Sequence, residues 1–281
     1  MDISWNNFSL DFSRKTYLMG ILNVTPDSFS DGGLHFDRSS AVDGAMRMVD
    51  DGADIVDIGG ESSRPGSDPV SLEEELSRTI PIIKSLSSKL SVPISIDTYK
   101  AEVARRAIDA GASIVNDISG LRFDPQMPEV VARYGVPVVI MHMKGSPKNM
   151  QKNPSYTALI PEILEYFISR TASAIKAGIP AGRIIIDPGI GFGKTFDHNL
   201  EIIHNLEKFT SLGRPILIGP SRKAFIGKIL GDAPATDRME GTAAAVAISI
   251  MHGANIVRVH DVKEMAKVAK VADSIKRVRV D

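Results

Sequence analysis

Four polar residues end apolar runs in the same way. Asp57, Asn116, Asp187 and Arg258 each lie five positions after a glycine, in the stretches GADIVD, GASIVN, GRIIID and GANIVR. Asp97 ends a fifth run, PISID. A carboxylate or amide at the end of a buried strand can bind the paired donors on the edge of a flat ligand. Arg64, Arg222, Lys223, Arg258 and His260 supply cationic or donor groups in the segments after strands. Gathered at one place, they would suit an anionic group such as a phosphate. Each has an ordinary reading as well. A lone surface arginine is only solvated, Asp97 could cap the next helix, and His260 could be a neutral helix-terminal histidine. Asp57 reads equally as a site group or as a structural anchor.

These residues must be carried by strands. A second kind of run starts at proline, in PISID from Pro93, PVVIM from Pro137 and PILIG from Pro215. Proline is acceptable at the first residue of a strand, where no ladder donor is yet needed. With an opening strand over Tyr17 to Asn23, the two kinds alternate, four of each. That symmetry predicts a closed barrel of eight parallel strands, whose interior layers draw on alternate strands. The fold class is therefore α/β, a (β/α)8 or TIM barrel, with residues 1–281 as a single domain and residues 1–16 capping the barrel bottom. Its polar strand ends should meet at the C-terminal mouth.

Helices fill the intervals. The first places Ala41, Val42, Ala45, Met48 and Val49 on one stripe. Ser71 and Glu74 predict a capping box for the second. The third turns Val103, Ala104, Ala107 and Ile108 inward, and the fifth runs from about Thr157 to Ala177. Asp261 and Glu264 cap the last. Long loops rich in Gly, Pro, Ser and Asp follow the first, second, fifth and sixth strands, on the face where a barrel keeps its site.

The loop DPGIGFGK resembles two phosphate-binding motifs and fails both by one residue. Lys194 stands where a dinucleotide loop needs glycine, and Pro188 where a nucleoside-triphosphate loop needs it. Gly189, Gly191 and Gly193 either let the backbone approach a flat ligand or make a tight strand–helix turn. Composition narrows the field. Lys plus Arg, 33, balances Asp plus Glu, 34, so bulk charge offers nothing to nucleic acid or a membrane surface. The absence of cysteine excludes a thiolate nucleophile, a thiolate metal site and disulfides. The polar start, MDISWNNFSLDF, lacks a signal-peptide pattern, which predicts a cytoplasmic protein. No zinc motif is present, whereas a hard ion at Asn23 with a diphosphate is compatible with magnesium chemistry.

The segments GILNVTPDSFSDGG, IGGESSRPG, SIDTYKAEVA, NDISG, MHMKGSP, DPGIGFGK, GPSRK and RVHDV resemble, in this order, the dihydropteroate synthase family. The resemblance runs from about Tyr17 to the end of the last helix. It implies a barrel that joins a dihydropterin pyrophosphate to p-aminobenzoate and releases pyrophosphate on the path to folate, an activity blocked in this family by sulfonamides. It also implies Mg2+ and a homodimer. By motif, Asp97, Asn116, Asp187 and Lys223 would bond the pterin edge, Met141 and Phe192 would line its pocket, and Arg258 would stack on its face. Asn23, Arg64, Arg258 and His260 would hold the pyrophosphate, with Asn23 on the metal. Thr25, Pro26, Phe29, Ser62, Ser63, Arg64, Pro65 and Ser221 would form the p-aminobenzoate site.

The residue types suit that chemistry. Loss of pyrophosphate leaves a carbocation-like methylene on the pterin. The ring spreads this charge, and Asp97 stabilises it. Asp97, Lys223 and Arg258 are the expected catalytic groups, and no covalent nucleophile is required. Two positions depart from the family pattern. Ser63 replaces a usual threonine, and Ile190 replaces a common phenylalanine, with an expected effect on loop packing. Two other readings are a pterin-dependent methyltransferase serving a corrinoid partner and a non-enzymatic pterin-binding module. TPDSFSDGG, SSRPG and GPSRK argue against the first, and the complete polar set against the second.

Overall fold

Along each barrel strand, side chains alternate between the helices outside and the barrel interior, as the two-residue period of a strand requires. The structure, a computed structural model, describes residues 1–25 and 38–278. It opens with an antiparallel hairpin, β1 (Asp2–Trp5) and β2 (Phe8–Asp11). The barrel strands are β3 (Tyr17–Asn23), β4 (Ile55–Gly59), β5 (Ile94–Asp97), β6 (Ile114–Asp117), β7 (Val138–Met141), β8 (Ile184–Asp187), β9 (Leu217–Ile218) and β10 (Ile256–Val259). They form a parallel sheet in the order β8-β7-β6-β5-β4-β3-β10-β9. A parallel bridge between Ile186 and Ile216 brings its two ends together.

Outward residues such as Val56, Ile96, Val115, Ile140, Ile186 and Val257 pack with the helices in the main core. The inward residues make two storeys. Met19, Ile55, Ile114, Val139, Ile185, Leu217 and Ile256 form an apolar lower storey. Two residues further along their strands stand Ile21, Asp57, Asn116, Met141, Asp187, Gly219 and Arg258; on β5, Ser95 is followed by Asp97 in the same way. The polar residues therefore crown an apolar plug. The hairpin closes that plug from below, with Ile3, Trp5, Leu10 and Phe12 in one cluster with the lower storey.

The helices are α1 (Arg38–Asp50), α2 (Leu72–Leu86), α3 (Ala101–Asp109), α4 (Met127–Tyr134), α5 (Leu159–Lys176), α6 (Phe196–His204), α7 (Ala224–Ile229), α8 (Met239–Met251) and α9 (Val262–Lys276). Ala41, Val42 and Ala45 of α1 are buried, as are Val103, Ala104 and Ala107 of α3. The eight-stranded barrel is borne out. Pro93, Pro137 and Pro215 precede their strands and enter the ladder through their carbonyls, which accept from Val56, Val115 and Ile186.

Several local expectations are corrected. Gly52, Gly111 and Gly253 take φ of +106°, +117° and +107°, but Gly182 lies in a 3-10 turn, Ala181–Arg183. The exit from α5 is made by Gly178, at φ +95°. The fourth glycine matches its counterparts in spacing and not in conformation. Ser71 caps α2 by accepting from Glu74 N–H. The Glu74 carboxylate does not complete the box; it pairs with Arg78 one turn on. Asp261 precedes α9 without a side-chain capping bond, because its carboxylate is engaged by Arg222.

Trp5 is 2% exposed and fills the base of the plug. Trp5→Ala should destabilise the whole barrel by about 3–5 kcal/mol. Urea unfolding followed by circular dichroism measures this, and an unchanged midpoint would show that the hairpin lies outside the barrel's cooperative unit.

Candidate active site

The upper storey opens into a cavity at the C-terminal ends of the strands. Asp97, Asn116, Met141, Asp187, Gly219 and Arg258 of the inward rows line it. Ser63, Ile118, Ile190, Phe192 and Lys223 complete the lining from the loops. All seven predicted pterin contacts thus converge from chain segments far apart.

Arg258 is the hub. Its Nε donates to Asp57 Oδ2 at 2.6 Å, and its terminal NH2 donates to Asp97 Oδ2 at 2.8 Å. Asn116 Nδ2 donates to the same Asp57 oxygen at 3.0 Å. Asp57 is fully buried, and its Oδ1 has no partner. It is the anchor of the hub and does not line the cavity, which settles its two readings. Asp97 does not cap α3; its carboxylate holds Arg258. Burial pushes the Asp97 carboxyl up to about 7, against the pull of Arg258 and with the charge of Asp57 adding to the rise.

Asp187 sits across the cavity. Its Oδ1 accepts from Gly189 N–H at 2.7 Å. Burial pushes its carboxyl up to about 6, with that hydrogen bond opposing. Lys223 lies with Nζ 4.4 Å from the Phe192 ring centre. Burial, with the charge of Arg258 adding, lowers its ammonium to about 8. Met141 and Phe192 belong to an apolar patch with Ile118, Met143 and Met150, which forms one wall.

His260 and Ser221, assigned to different subsites from sequence, touch each other. The His260 N–H donates to Ser221 Oγ at 3.2 Å, and Nδ1 of the same residue lies 3.0 Å from that oxygen. A hydroxyl that accepts the backbone N–H can give its own proton to Nδ1, which leaves the ring proton on Nε2. Burial takes the imidazole down to about 3, with Arg258 adding. His260 is therefore neutral at pH 7 and offers a ring N–H rather than a positive charge. The expectation for Arg222 is corrected. It makes a two-pronged pair with Asp261 and does not stand ready for an anion.

Asn23 ends β3, between β4 and β10 in the sheet. Ser62, Ser63, Arg64 and Pro65 lie on the loop after β4; Arg64 and Pro65 are exposed, and Ser63 reaches the cavity. Thr25 is the last described residue before the loop after β3. Pro26 and Phe29 lie outside the described residues.

The glycine loop divides its two readings. A Cβ on Gly189 would sit 2.0 Å from the His142 carbonyl oxygen, and one on Gly193 would sit 2.4 Å from that of Lys144. Both glycines serve close packing against the loop after β7. Gly191 faces a cavity side chain, Lys223, and makes no such close backbone approach; Gly189 also lies against Met141 of the cavity wall. Lys194, given no role from sequence, is 2% exposed beneath this loop. Its Nζ donates to the carbonyls of Phe192 at 2.9 Å and Gly189 at 3.1 Å and lies 3.0 Å from His142 Nδ1. It ties the Phe192 wall to the end of β7. Ile190 lines the cavity, so its replacement of phenylalanine bears on the site and not only on loop packing. Ile118 and Gly219 were also missed. Each stands two residues beyond an inward strand position, and the same alternation would have found them.

The pterin-binding enzyme profile matches residues 19–260, which include both storeys of the barrel. The chain is 50% identical over 267 residues to the dihydropteroate synthase of Synechocystis sp., covering 95% of this chain and 92% of that one. It is 46% identical to that of Escherichia coli K12, covering 95% and 93%. Its fold matches the Yersinia pestis dihydropteroate synthase solved with a sulfonamide drug at a TM-score of 0.94, with 41% identity over 99% of this chain and all of the other. The Xanthomonas albilineans dihydropteroate synthase solved with 4-aminobenzoic acid matches at 0.90, with 41% identity over 96% of each. The chain belongs to the dihydropteroate synthase family of pterin-binding enzymes. The motif resemblance and the barrel it implied are both borne out.

Asp187 yields a stability prediction. Between the unfolded carboxyl value of about 3.9 and the folded value, the native protein keeps a proton that the unfolded chain releases. Stability from this group is present at acid pH and is lost as pH rises through about 6. Asp187→Asn should therefore be more stable than the parent at pH 8 by about 1–3 kcal/mol. The difference should close at pH 4. Urea curves at both pH values measure it, and an equal difference at both would exclude ionisation as the cause.

Proposed function

We propose that this chain condenses 6-hydroxymethyl-7,8-dihydropterin pyrophosphate with p-aminobenzoate, forming 7,8-dihydropteroate and pyrophosphate. The convergence of Asp97, Asn116, Asp187, Lys223 and Arg258 on one cavity carries this reading. The Asp187 carboxylate accepts the paired donors of the pterin edge. Asn116 and Lys223 meet the rest of that edge. Met141 and Phe192 pack on the ring, and the guanidinium plane of Arg258, held at two nitrogens by carboxylates, lies over a face.

The carbon–oxygen bond from the pterin methylene to the diphosphate breaks, and its electron pair leaves with the diphosphate. The ring spreads the positive charge, and the Asp97 carboxylate stabilises it. The arylamine then forms the carbon–nitrogen bond and releases a proton. Arg258, Arg64 and the Nε2 proton of His260 bind the leaving diphosphate, and Ser62 to Pro65 with Ser221 hold the arylamine. The serine in place of threonine at Ser63 leaves more room where that loop meets the cavity.

Magnesium fits as a companion of the diphosphate. Among the described residues no three His, Asp or Glu groups converge as a metal site, and Asn23 offers one neutral amide oxygen. Asn23 would hold the ion while phosphate oxygens supply most other ligands. Bound there, magnesium neutralises charge on the leaving group.

A homodimer fits the exposed apolar residues of two helices, Ile248 and Met251 on α8 and Val271 and Ile275 on α9. No helix among the described residues is long and apolar enough to cross a membrane, and we place the reaction in the cytosol.

A pyrophosphate-release assay with each substrate omitted in turn tests the reaction. Release should require both substrates; release independent of p-aminobenzoate would refute it. The subsites are separable. His260→Ala should weaken pyrophosphate binding roughly tenfold or more and spare the pterin that lacks its diphosphate. Arg258→Lys should weaken both. Calorimetry with the two ligands separately decides, and loss of the plain pterin in His260→Ala would remove His260 from the leaving-group site.

A further inference from the structure

The loop after β4 is clasped at its neck. Glu61 begins it and Val70 ends it. Lys100 Nζ donates to Glu61 Oε2 at 2.6 Å and to the Val70 carbonyl at 2.9 Å. Val70 N–H donates to the same Glu61 oxygen at 3.1 Å, and the Tyr99 hydroxyl donates to Oε1 at 2.5 Å. Glu75 of α2, 1% exposed, gives Lys100 a further oxygen at 2.5 Å. One ammonium thus joins both ends of the loop to the segment after β5.

Tyr99 and Lys100 follow Asp97 by two and three residues. The clasp therefore fixes the loop neck relative to Asp97. The bow beyond it is folded on itself, with Ser67 Oγ 2.5 Å from the Ser62 carbonyl and 2.8 Å from that of Arg64. Its tip bonds the loop after β7 through Gly66 N–H and the Pro147 carbonyl at 3.0 Å. Ser63 and Asp97 line one cavity, and a smaller cavity beside it is bounded by Ser63, Asp97, Glu61 and Glu75.

We propose that Glu61, Tyr99 and Lys100 are positioning residues for the arylamine, holding Ser62 to Pro65 at a set distance from Asp97. This rests on the reading that those loop residues form the p-aminobenzoate site. None of the three touches the main cavity. They act through the loop. A short loop with its ends fastened samples fewer conformations, and less order must be imposed when the ligand binds. A carboxylate that accepts from an ammonium, a phenol and a backbone N–H has little freedom left.

Steady-state kinetics on Glu61→Gln and Tyr99→Phe, with calorimetric binding of the plain pterin, test the proposal. The KM for p-aminobenzoate should rise about five- to thirtyfold, while pterin affinity stays within about twofold. Lys100→Met should act in the same direction more strongly, and Tyr99→Phe, which changes no charge, covers the case in which Lys100→Met does not fold. An unchanged KM in folded Glu61→Gln and Tyr99→Phe overturns the proposal. So does a parallel loss of pterin affinity, which a merely structural role would give. Ser62→Ala and Arg64→Ala separate the two ideas. If they raise the arylamine KM and the clasp variants do not, the loop reading stands and the clasp falls. If they leave it unchanged, the loop reading fails and the proposal with it.

Discussion

Two carboxylates share one guanidinium at the barrel mouth. Arg258 spans Asp57 and Asp97, and Asn116 joins through Asp57. Four strands, β4, β5, β6 and β10, are thereby joined at the level where the cavity begins. The arrangement does not serve stability. Desolvating three charges costs several kcal/mol per ion, and a buried ion pair is often no better than a well-packed apolar substitute. What it supplies is position. The guanidinium is held through Nε and one terminal nitrogen, and its remaining terminal nitrogen and its face stay available. The orphaned Oδ1 of Asp57 shows how far packing has been subordinated to that placement.

The barrel carries this cost because the two storeys divide the work. The lower storey and the hairpin plug are apolar and closed, and the outward residues pack with the helices in a continuous core. Two residues higher, the same strands present groups that are poor for folding. Asp97 and Asp187 are both pushed up by burial, and Lys223 and Lys194 are pushed down. Each shift measures free energy that the fold must absorb. The loops finish the construction, with Lys194 fastening the Phe192 segment and the Glu61–Lys100 clasp fastening the loop after β4.

The strand ends were legible because each apolar run stops at a polar residue, and a period of two then puts these residues on one face. Legibility failed where a long side chain chose its partner. Glu74 had a local partner in the expected capping box and took Arg78 instead. Asp261 turned from its helix to Arg222, 39 residues away in sequence. Asp57 resolved into an anchor only once Arg258, 201 residues away, was seen against it. Equal glycine spacing does not fix conformation either, because Gly182 matches its counterparts in position while its backbone follows a 3-10 turn. Periodicity reports which face a residue occupies. It carries no information about which of several charged neighbours a flexible side chain will reach.

The partner choices change how the anion site must work. From sequence, Arg222, Arg258 and His260 read as cationic or donor groups suited to a phosphate. In the folded chain Arg222 is paired with Asp261, Arg258 is shared by two carboxylates, and His260 is neutral. Among the described residues near the mouth, Lys223 is buried with a lowered ammonium and Arg64 is exposed on its loop. A diphosphate arriving alone would meet donors in good geometry but little uncompensated positive charge. In the reaction proposed above, directed hydrogen bonds from Arg258 and His260 would give orientation, and most of the charge would be left to a cation bound with the ligand. Asn23 would hold such an ion through its one neutral oxygen, since magnesium keeps few protein ligands and takes the rest from phosphate and water. Arg258, held throughout by Asp57 and Asp97, would be in place for the next pterin.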